Sequence, residues 1–303
     1  MTLRILHVDT GREMRGGQRQ VLLLLHGLRA AGTVCTLLAR EGSPLFSVAA
    51  EAGFAVYAAG LRNLLIHSRQ FDLVHAHDAH AHTQAALVSL APFVVSRRVA
   101  FSVKGSALSR LKYRRARRFL AVSKFVKSEL AAAHIPDEKI DVVYDGVDPS
   151  VRDGVWRPDG RLVALASADP AKGRQLVAQA AQLAHLDVTY SENLSADLQN
   201  ASMFVYVTQS EGLGSAALLA MAMGIPVIAS DIGGLREALG GGDAGLLVQN
   251  DAARIAAAMQ KLREDCSLAQ TLIERGKRRV AEHFTAKRLV DGTLESYRRA
   301  LAV

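Results

Sequence analysis

Cysteine is nearly absent. Cys35 and Cys266 are the only two in 303 residues, they lie far apart, and no His or Cys stands at ligand spacing beside them. Neither a disulfide framework nor a zinc site is expected, and a reducing cytoplasm fits best. Aromatic residues make up 5% of the chain and no recognition motif accompanies them, which argues against nucleic acid as a partner. No apolar run reaches the roughly 18 residues of a membrane-spanning helix, and Arg4 and Asp9 bracket the first apolar run. Neither a span nor a signal peptide is therefore expected. The sequence also lacks an obvious repeat, a low-complexity tail and the G-x-G-x-x-G fingerprint of dinucleotide-binding domains.

Acidic residues are missing from the whole stretch between Asp78 and Glu129. Eleven basic residues from Arg97 to Lys127 fall in that stretch, among them Arg98, Lys104, Arg110, Lys112 and Arg118. The formal net charge of +8 belongs entirely to residues 1–150, whereas residues 151–303 are neutral. A field of that kind attracts phosphate groups. Leu108, Leu111, Tyr113 and Phe119 are interleaved with the cations, yet the later part reads as a strand, so the window is not one amphipathic helix.

With 50% apolar and 22% charged residues, the chain is long enough for two folded domains. Apolar runs rich in β-branched residues alternate with helical-period segments throughout, the pattern of parallel strands joined by crossover helices. In the first half, strands are expected at Arg4 to Val8, Val34 to Leu38, Ala55 to Tyr57, Leu73 to Ala76, Phe93 to Ser96, Arg118 to Val122 and Asp141 to Tyr144. Turn residues from Asp145 through Gly160 then mark a linker. A second alternation follows, including strands at Leu162 to Ala166 and Met203 to Thr208 and a helix from Gly214 to Met223. The fold class is α/β, with two Rossmann-like doubly wound domains, 1–150 and 151–303. Such sheets bind ligands at the carboxyl ends of their strands, so a cleft between facing domains is the expected site.

Three strand-to-helix turns carry the chemistry. Arg15-Gly16-Gly17-Gln18 follows the first strand, and its glycines let backbone amides approach a phosphate. Pro170-Ala171-Lys172-Gly173 follows the first strand of the second half and offers a point charge. Ser210-Glu211-Gly212-Leu213-Gly214-Ser215 sets a carboxylate beside a Gly-x-Gly turn that opens an apolar helix. A fourth cluster, His75-Ala76-His77-Asp78-Ala79-His80-Ala81-His82, ends a first-half strand. Metal binding is not expected there, because no second cluster supplies further ligands, and Asp78 can serve simply as a helix cap.

The ordered set of these motifs, with Tyr144-Asp145-Gly146-Val147-Asp148 at the linker and Ala220-Met221-Ala222-Met223-Gly224-Ile225-Pro226 after the third turn, resembles family 4 of the retaining glycosyltransferases, which have the GT-B fold. The resemblance covers nearly the whole chain. It implies a metal-independent, hexosyltransferase-like enzyme without a cofactor, using a nucleoside diphosphate sugar as donor. Residues 151–303 would bind the donor and residues 1–150 the acceptor, with the last helix, about 287–300, crossing back to the first domain. Carried over by position, Lys172 resembles the lysine on the diphosphate and Glu211 the glutamate near the transferred sugar. Gly212, Leu213, Gly214 and Ser215 would contact sugar and phosphate, and Gly16 and Gly17 resemble the first-domain loop. His77, Asp78 and His80 resemble a segment beside the donor sugar.

The implied acceptor is a cell-envelope glycan, such as lipopolysaccharide, or a lipid-linked acceptor. Residues 97–127 are an expected contact with an anionic membrane surface, which makes the expected location cytoplasmic and peripheral to the membrane. Two positions depart from the family pattern. Leu219 stands where a second glutamate holds the ribose hydroxyls, and Ala166-Ser167 stands where Gly-Arg is frequent. They motivate the alternative of a catalytically weak or inactive nucleotide-sugar-binding protein on the same fold. An epimerase or phosphorylase on this scaffold is a further alternative that fold alone does not remove.

Overall fold

The computed structural model describes residues 2–99, 107–148 and 150–302; Lys104 of the basic window lies outside them. The chain divides into two compact units, Met1–Gly146 with Ala286–Val303, and Val147–Thr285.

In the first unit the chain runs β1 (Arg4–Asp9), α1 (Gly16–Ala30), β2 (Val34–Ala39), α2 (Pro44–Glu51), β3 (Ala55–Ala58), α3 (Leu61–Ser68) and β4 (Leu73–Ala76). It continues with α4 (Ala79–Val88), β5 (Phe93–Arg97), α5 (Ala107–Arg115), β6 (Arg118–Ala121), α6 (Lys124–Ala132) and β7 (Ile140–Val142). The seven strands form a parallel sheet in the order β3-β2-β1-β4-β5-β6-β7. β1 and β4, neighbours in space but not in sequence, mark the point where the winding reverses.

The second unit runs β8 (Arg161–Leu165), α7 (Arg174–Ala184), β9 (Val188–Ser191), α8 (Leu194–Asp197), β10 (Ala201–Tyr206), α9 (Ser215–Ala222), β11 (Val227–Ser230), α10 (Gly233–Ala238) and β12 (Leu246–Val248). α11 (Ala252–Glu264) and α12 (Cys266–His283) complete it. Its parallel sheet has the order β12-β11-β10-β8-β9, with the reversal between β8 and β10. All six residues of β10 are buried, as expected for a central parallel strand covered on both faces. Val177 and Ala180 of α7 and Ile255, Met259 and Leu262 of α11 belong to one core with Leu162, Met203, Val205 and Ile228 of the sheet. Each fully buried aliphatic side chain of this kind stabilises by about 2 kcal/mol.

α9 shows how local sequence places an element. Its Ala, Leu and Met residues favour helix. It ends in a left-handed Gly224 at φ 75°, with Gly224 N–H donating to Met221 O and Ile225 N–H to Ala220 O. That pair of bonds is the Schellman stop, followed by Pro226.

The last helix, α13 (Ala286–Leu301), belongs to the first unit. It buries Leu289, Val290, Thr293, Ser296, Tyr297 and Ala300. Gly27 of α1 makes room for it: a Cβ there would stand 2.3 Å from Val290 Cγ2. No described helix is long and apolar enough to cross a membrane.

Candidate active site

In the second unit the loops that follow β8 and β10 meet, because those strands are adjacent. Asp169 caps a short 3-10 turn at Pro170–Lys172, and Gly173 turns the chain into α7 at φ 66°. A Cβ on Gly173 would lie 2.4 Å from Val207 Cγ1, so only glycine lets this turn sit on the end of β10. Gln209 N–H and Thr208 Oγ1 both donate to Ala171 O, at 2.8 and 3.2 Å. Ser230 and Asn250 brace the same strand end: Thr208 N–H donates to Ser230 Oγ, and Asn250 Nδ2 donates to Thr208 O.

The stitched loops bring Lys172 and Glu211, both singled out in the sequence, to 3.1 Å through Nζ and Oε2. Gly212 N–H donates to Glu211 Oε1 at 3.2 Å. The phenol of Tyr206, which sequence reasoning missed, donates to the same Oε2 as Lys172. Burial, and then the neighbouring Glu211 carboxylate, push that phenol well above its ordinary pKa. The available signal was a tyrosine at the end of an otherwise apolar strand. Gly214 takes φ 102° and opens α9, and Ser215 is the first residue of that helix. Leu213 is buried at 1% exposure, so its side chain belongs to the core and its backbone to the turn. Gly234 of α10 lies directly on this turn and donates its N–H to Glu211 O at 3.2 Å.

Helix starts differ in how they are capped. Ser43, Asp78, Ser123, Asn193, Asp251 and Asp265 cap α2, α4, α6, α8, α11 and α12 with side-chain oxygens. α1, α3, α7, α9 and α10 begin without a side-chain cap. Their first amides carry the positive end of the helix dipole and suit an anion.

The corresponding end of the first unit is built around β1 and β4. Gly16 and Gly17 are the first residues of α1, and the nearest neighbour of a Cβ on Gly17 would be Arg98 Cδ at 3.9 Å. Arg98 in turn donates to Asp145 Oδ1 at 3.2 Å and stands 3.5 Å from His77 Nδ1. Arg98 was read only as part of a charge run, but it connects two of the expected site segments. Asp78 caps α4 through His80 and Ala81 N–H and also accepts from Thr10 N–H and Oγ1. His80 is exposed in the first turn of α4. Asp9 is 1% exposed; it accepts from Gly11 N–H and Gln18 Nε2 and so shapes the loop before α1. Burial is the main cause raising its pKa.

The histidine cluster differs from its sequence reading. His75 of β4 and His77 just beyond its end share a face, and the parallel register sets His7 of β1 beside His75. One ring nitrogen from each of the three lies within 4.8 Å of the others, so a further ligand does exist, contrary to expectation. Most of their ring nitrogens are taken up by hydrogen bonds, while His7 Nε2 has no partner among the described residues. His7 Nδ1 meets His77 Nε2 at 3.0 Å, and His75 meets Tyr297 OH and Ser96 Oγ at 2.6 and 2.8 Å. The Arg98 guanidinium beside His77 opposes a further cation. Burial lowers all three pKa values, that of His7 to about 3.

Two Rossmann-like parallel sheets, each with uncapped helix starts and glycine turns at the reversal of its winding, define a protein of the GT-B glycosyltransferase class. A sequence model described as Glycosyltransferase Family 4 matches residues 14–151, and one described as Glycosyl transferases group 1 matches residues 130–265. The chain belongs to glycosyltransferase family 4. A D-inositol 3-phosphate glycosyltransferase of Rhodococcus erythropolis is 40% identical over 122 residues, 40% of this chain and 27% of that protein. An alpha-maltose-1-phosphate synthase of Mycolicibacterium smegmatis is 38% identical over 112 residues, 35% of this chain and 29% of that protein. The matched stretches thus span under a third of these relatives' lengths. Anabaena Alr3699/HepE, solved in complex with UDP, superposes with a TM-score of 0.85 at 14% identity, covering 97% of this chain and 99% of that one. That likeness concerns the fold.

Proposed function

We propose that this protein is a retaining glycosyltransferase that moves a sugar from a nucleoside diphosphate sugar to a cell-envelope glycan or lipid-linked acceptor. The carrying observation is the convergence of Lys172 and Glu211 at 3.1 Å beside the uncapped start of α9. A cation and free amides suit a diphosphate, and a carboxylate suits the positive charge that develops on the sugar ring as the diphosphate departs. Stabilising both charges as they develop is the main catalytic effect such groups supply. In the transfer, the bond from the anomeric carbon to the diphosphate oxygen breaks with its electron pair on that oxygen. The acceptor oxygen forms the new bond, and its proton passes to the departing phosphate. The chain's own Lys172 and helix amides carry the diphosphate charge, so no step needs a metal ion.

The second unit would hold the donor through Lys172, Glu211, Gly212, Leu213, Gly214 and Ser215. The first would hold the acceptor, and Gly16, Gly17, His77, Asp78 and His80 are its residues expected to serve the donor's phosphates and sugar. Support for donor use by this fold comes from Anabaena Alr3699/HepE, solved with UDP-glucose. Incubation with labelled UDP-, GDP- and ADP-sugars tests the reading, since a transferase slowly hydrolyses its donor without acceptor. Binding without hydrolysis would instead favour the second reading, a nucleotide-sugar-binding protein, for which Leu219 on α9 in place of a ribose-holding carboxylate is the motivating observation.

The membrane contact is proposed from Arg110, Arg114, Arg117 and Lys124, which are exposed together with Leu111. Lys112, Arg115 and Arg118 of the same window are engaged within the unit, on Ala79 O, Ser89 O and Asp141. Four exposed cations at about 1 kcal/mol each suffice for reversible attachment to an anionic surface. Equal recovery in the supernatant with and without anionic vesicles at low salt would remove this part and leave the transferase reading standing.

A further inference from the structure

Tyr206 is the one polar side chain at the Lys172–Glu211 pair to which the transfer chemistry assigns no task. It is 5% exposed at the end of β10, and its hydroxyl donates to Glu211 Oε2, the oxygen that Lys172 Nζ also approaches at 3.1 Å. Two donors on one oxygen are more than holding a carboxylate requires, since Gly212 N–H already occupies Oε1. The two donors differ in mobility. Lys172 sits on a flexible four-carbon stem and its side chain is 31% exposed. The Tyr206 ring is fixed by its surroundings: a Cβ on Gly214 would lie 3.4 Å from Tyr206 Cε1 and 3.7 Å from Glu211 Cγ, so ring and carboxylate stem both lie against the start of α9.

We propose that Tyr206 is a positioning residue for sugar transfer, holding Glu211 by Oε2 so that the carboxylate keeps its aim when Lys172 turns to the donor's diphosphate. This rests on the transferase reading above. A doubly charged diphosphate attracts the ammonium more strongly than a single carboxylate does, so the Lys172–Glu211 bond is the one that yields. Without the phenol, Oε2 then loses its last donor within the unit and the side chain turns toward water. With it, Glu211 stays bonded at both oxygens. High in its pKa, the phenol remains protonated and available as a donor.

Tyr206→Phe removes the hydroxyl and keeps the ring. Donor hydrolysis by wild type and variant is measured with UDP-glucose, GDP-mannose and ADP-glucose, alongside thermal melting. On whichever donor the wild type hydrolyses, kcat should fall about tenfold, as for a lost hydrogen bond to a charged group, while KM and the melting temperature stay near wild type. A kcat equal to wild type, or a rise in KM alone, overturns the positioning role and leaves the transferase reading intact. No hydrolysis of any of the three by the wild type overturns that reading, and the positioning role with it. Placing Tyr206→Phe in a Lys172→Ala background gives a second measurement. With donor bound, Lys172 has left Oε2 in the wild type as well, so the loss of the phenol should cost kcat by the same factor in the two backgrounds; a much larger loss in the Lys172→Ala background would mean that Lys172 still holds Oε2 during transfer, and overturns the proposal.

Discussion

Replacing Gly234 by alanine puts a methyl group where the backbone of the donor-side turn already lies. The new Cβ would stand 1.9 Å from Gly212 O, 2.3 Å from Gly212 C and 2.6 Å from Leu213 Cα. Relief to ordinary contact needs a displacement of roughly 1.5 Å, and no flexible side-chain end is available to provide it. Either α10 moves, breaking the Gly234 N–H bond to Glu211 O, or the turn that carries Glu211 and Gly214 does. Overpacking of this kind costs about 2 kcal/mol, which for a unit of this size lowers the melting temperature by about 4–8 °C. A misplacement near 1 Å at the reacting groups lowers turnover by up to about 100-fold. Gly241→Ala is the comparison: Gly241 also has positive φ, at 72°, but nothing lies within 4 Å of its Cβ. Its cost is the left-handed backbone alone, about 1 kcal/mol, with turnover per folded molecule retained. Thermal melting and donor hydrolysis read both variants. A Gly234→Ala protein with wild-type melting and wild-type turnover would refute the idea that this contact sets the turn.

Lys172→Ala should weaken donor affinity by about 10- to 100-fold, the scale of a charge-assisted hydrogen bond. The melting temperature should stay near wild type, because Glu211 keeps Tyr206 and Gly212; calorimetric titration with an unchanged Kd would take Lys172 out of the site. Stability should fall with acid. His7 and His82 have pKa values lowered by burial to about 3, against 6.5 unfolded, so their neutral forms favour the fold above 6.5 and the advantage drains away as pH falls toward 3. At pH 5 each accounts for about 2 kcal/mol, and a urea midpoint that does not drop between pH 7 and pH 5 contradicts this. Burial also pushes the Cys35 thiol up to about 12, whereas Cys266 is exposed. A thiol reagent at pH 8 should therefore titrate one cysteine in the native protein and two in urea; rapid titration of two in the native state counts against the buried assignment.

The alternation of strands was legible because β-branched apolar runs need no partner to be recognised: Leu73–Ala76 has the same ends in sequence and structure. β10 is displaced, spanning Ala201–Tyr206 instead of Met203 to Thr208. Val207 and Thr208 are as apolar or β-branched as the strand itself, but the sheet ends at Tyr206 and Thr208 bonds to Ala171. A partner 37 residues away leaves no trace in local pattern. The start of α4 depends on the Asp78 cap, and its run of His and Ala carries little hydrophobic periodicity. His7 escaped notice because its importance comes from β1–β4 register, not from its own neighbours in sequence. Lys172 and Glu211 each stood out in a glycine turn, yet their meeting depends on β8 lying next to β10.

Strand order is thus what turns separate motifs into a site. A strand that is followed by its neighbour in sequence sends its loop into a crossover on one side. Where the winding reverses, at β1–β4 and at β8–β10, two loops from distant parts of the chain leave adjacent strand ends in the same direction and have to share the space beyond them. In the first unit that space holds the buried Asp9, the bare start of α1 and the Asp78-capped start of α4; in the second it holds glycine turns, the half-buried Glu211 and the bare starts of α7 and α9. Leaving a helix start without a side-chain cap forgoes about 1 kcal/mol, which α2, α4, α6, α11 and α12 secure with a serine or an aspartate. Pure stability would favour the same solution at α1, α7 and α9. α3 and α10 also begin without a side-chain cap, so a bare start does not by itself mark a site; under the proposed function, those of α1, α7 and α9 would be open to the anion that a sugar diphosphate brings.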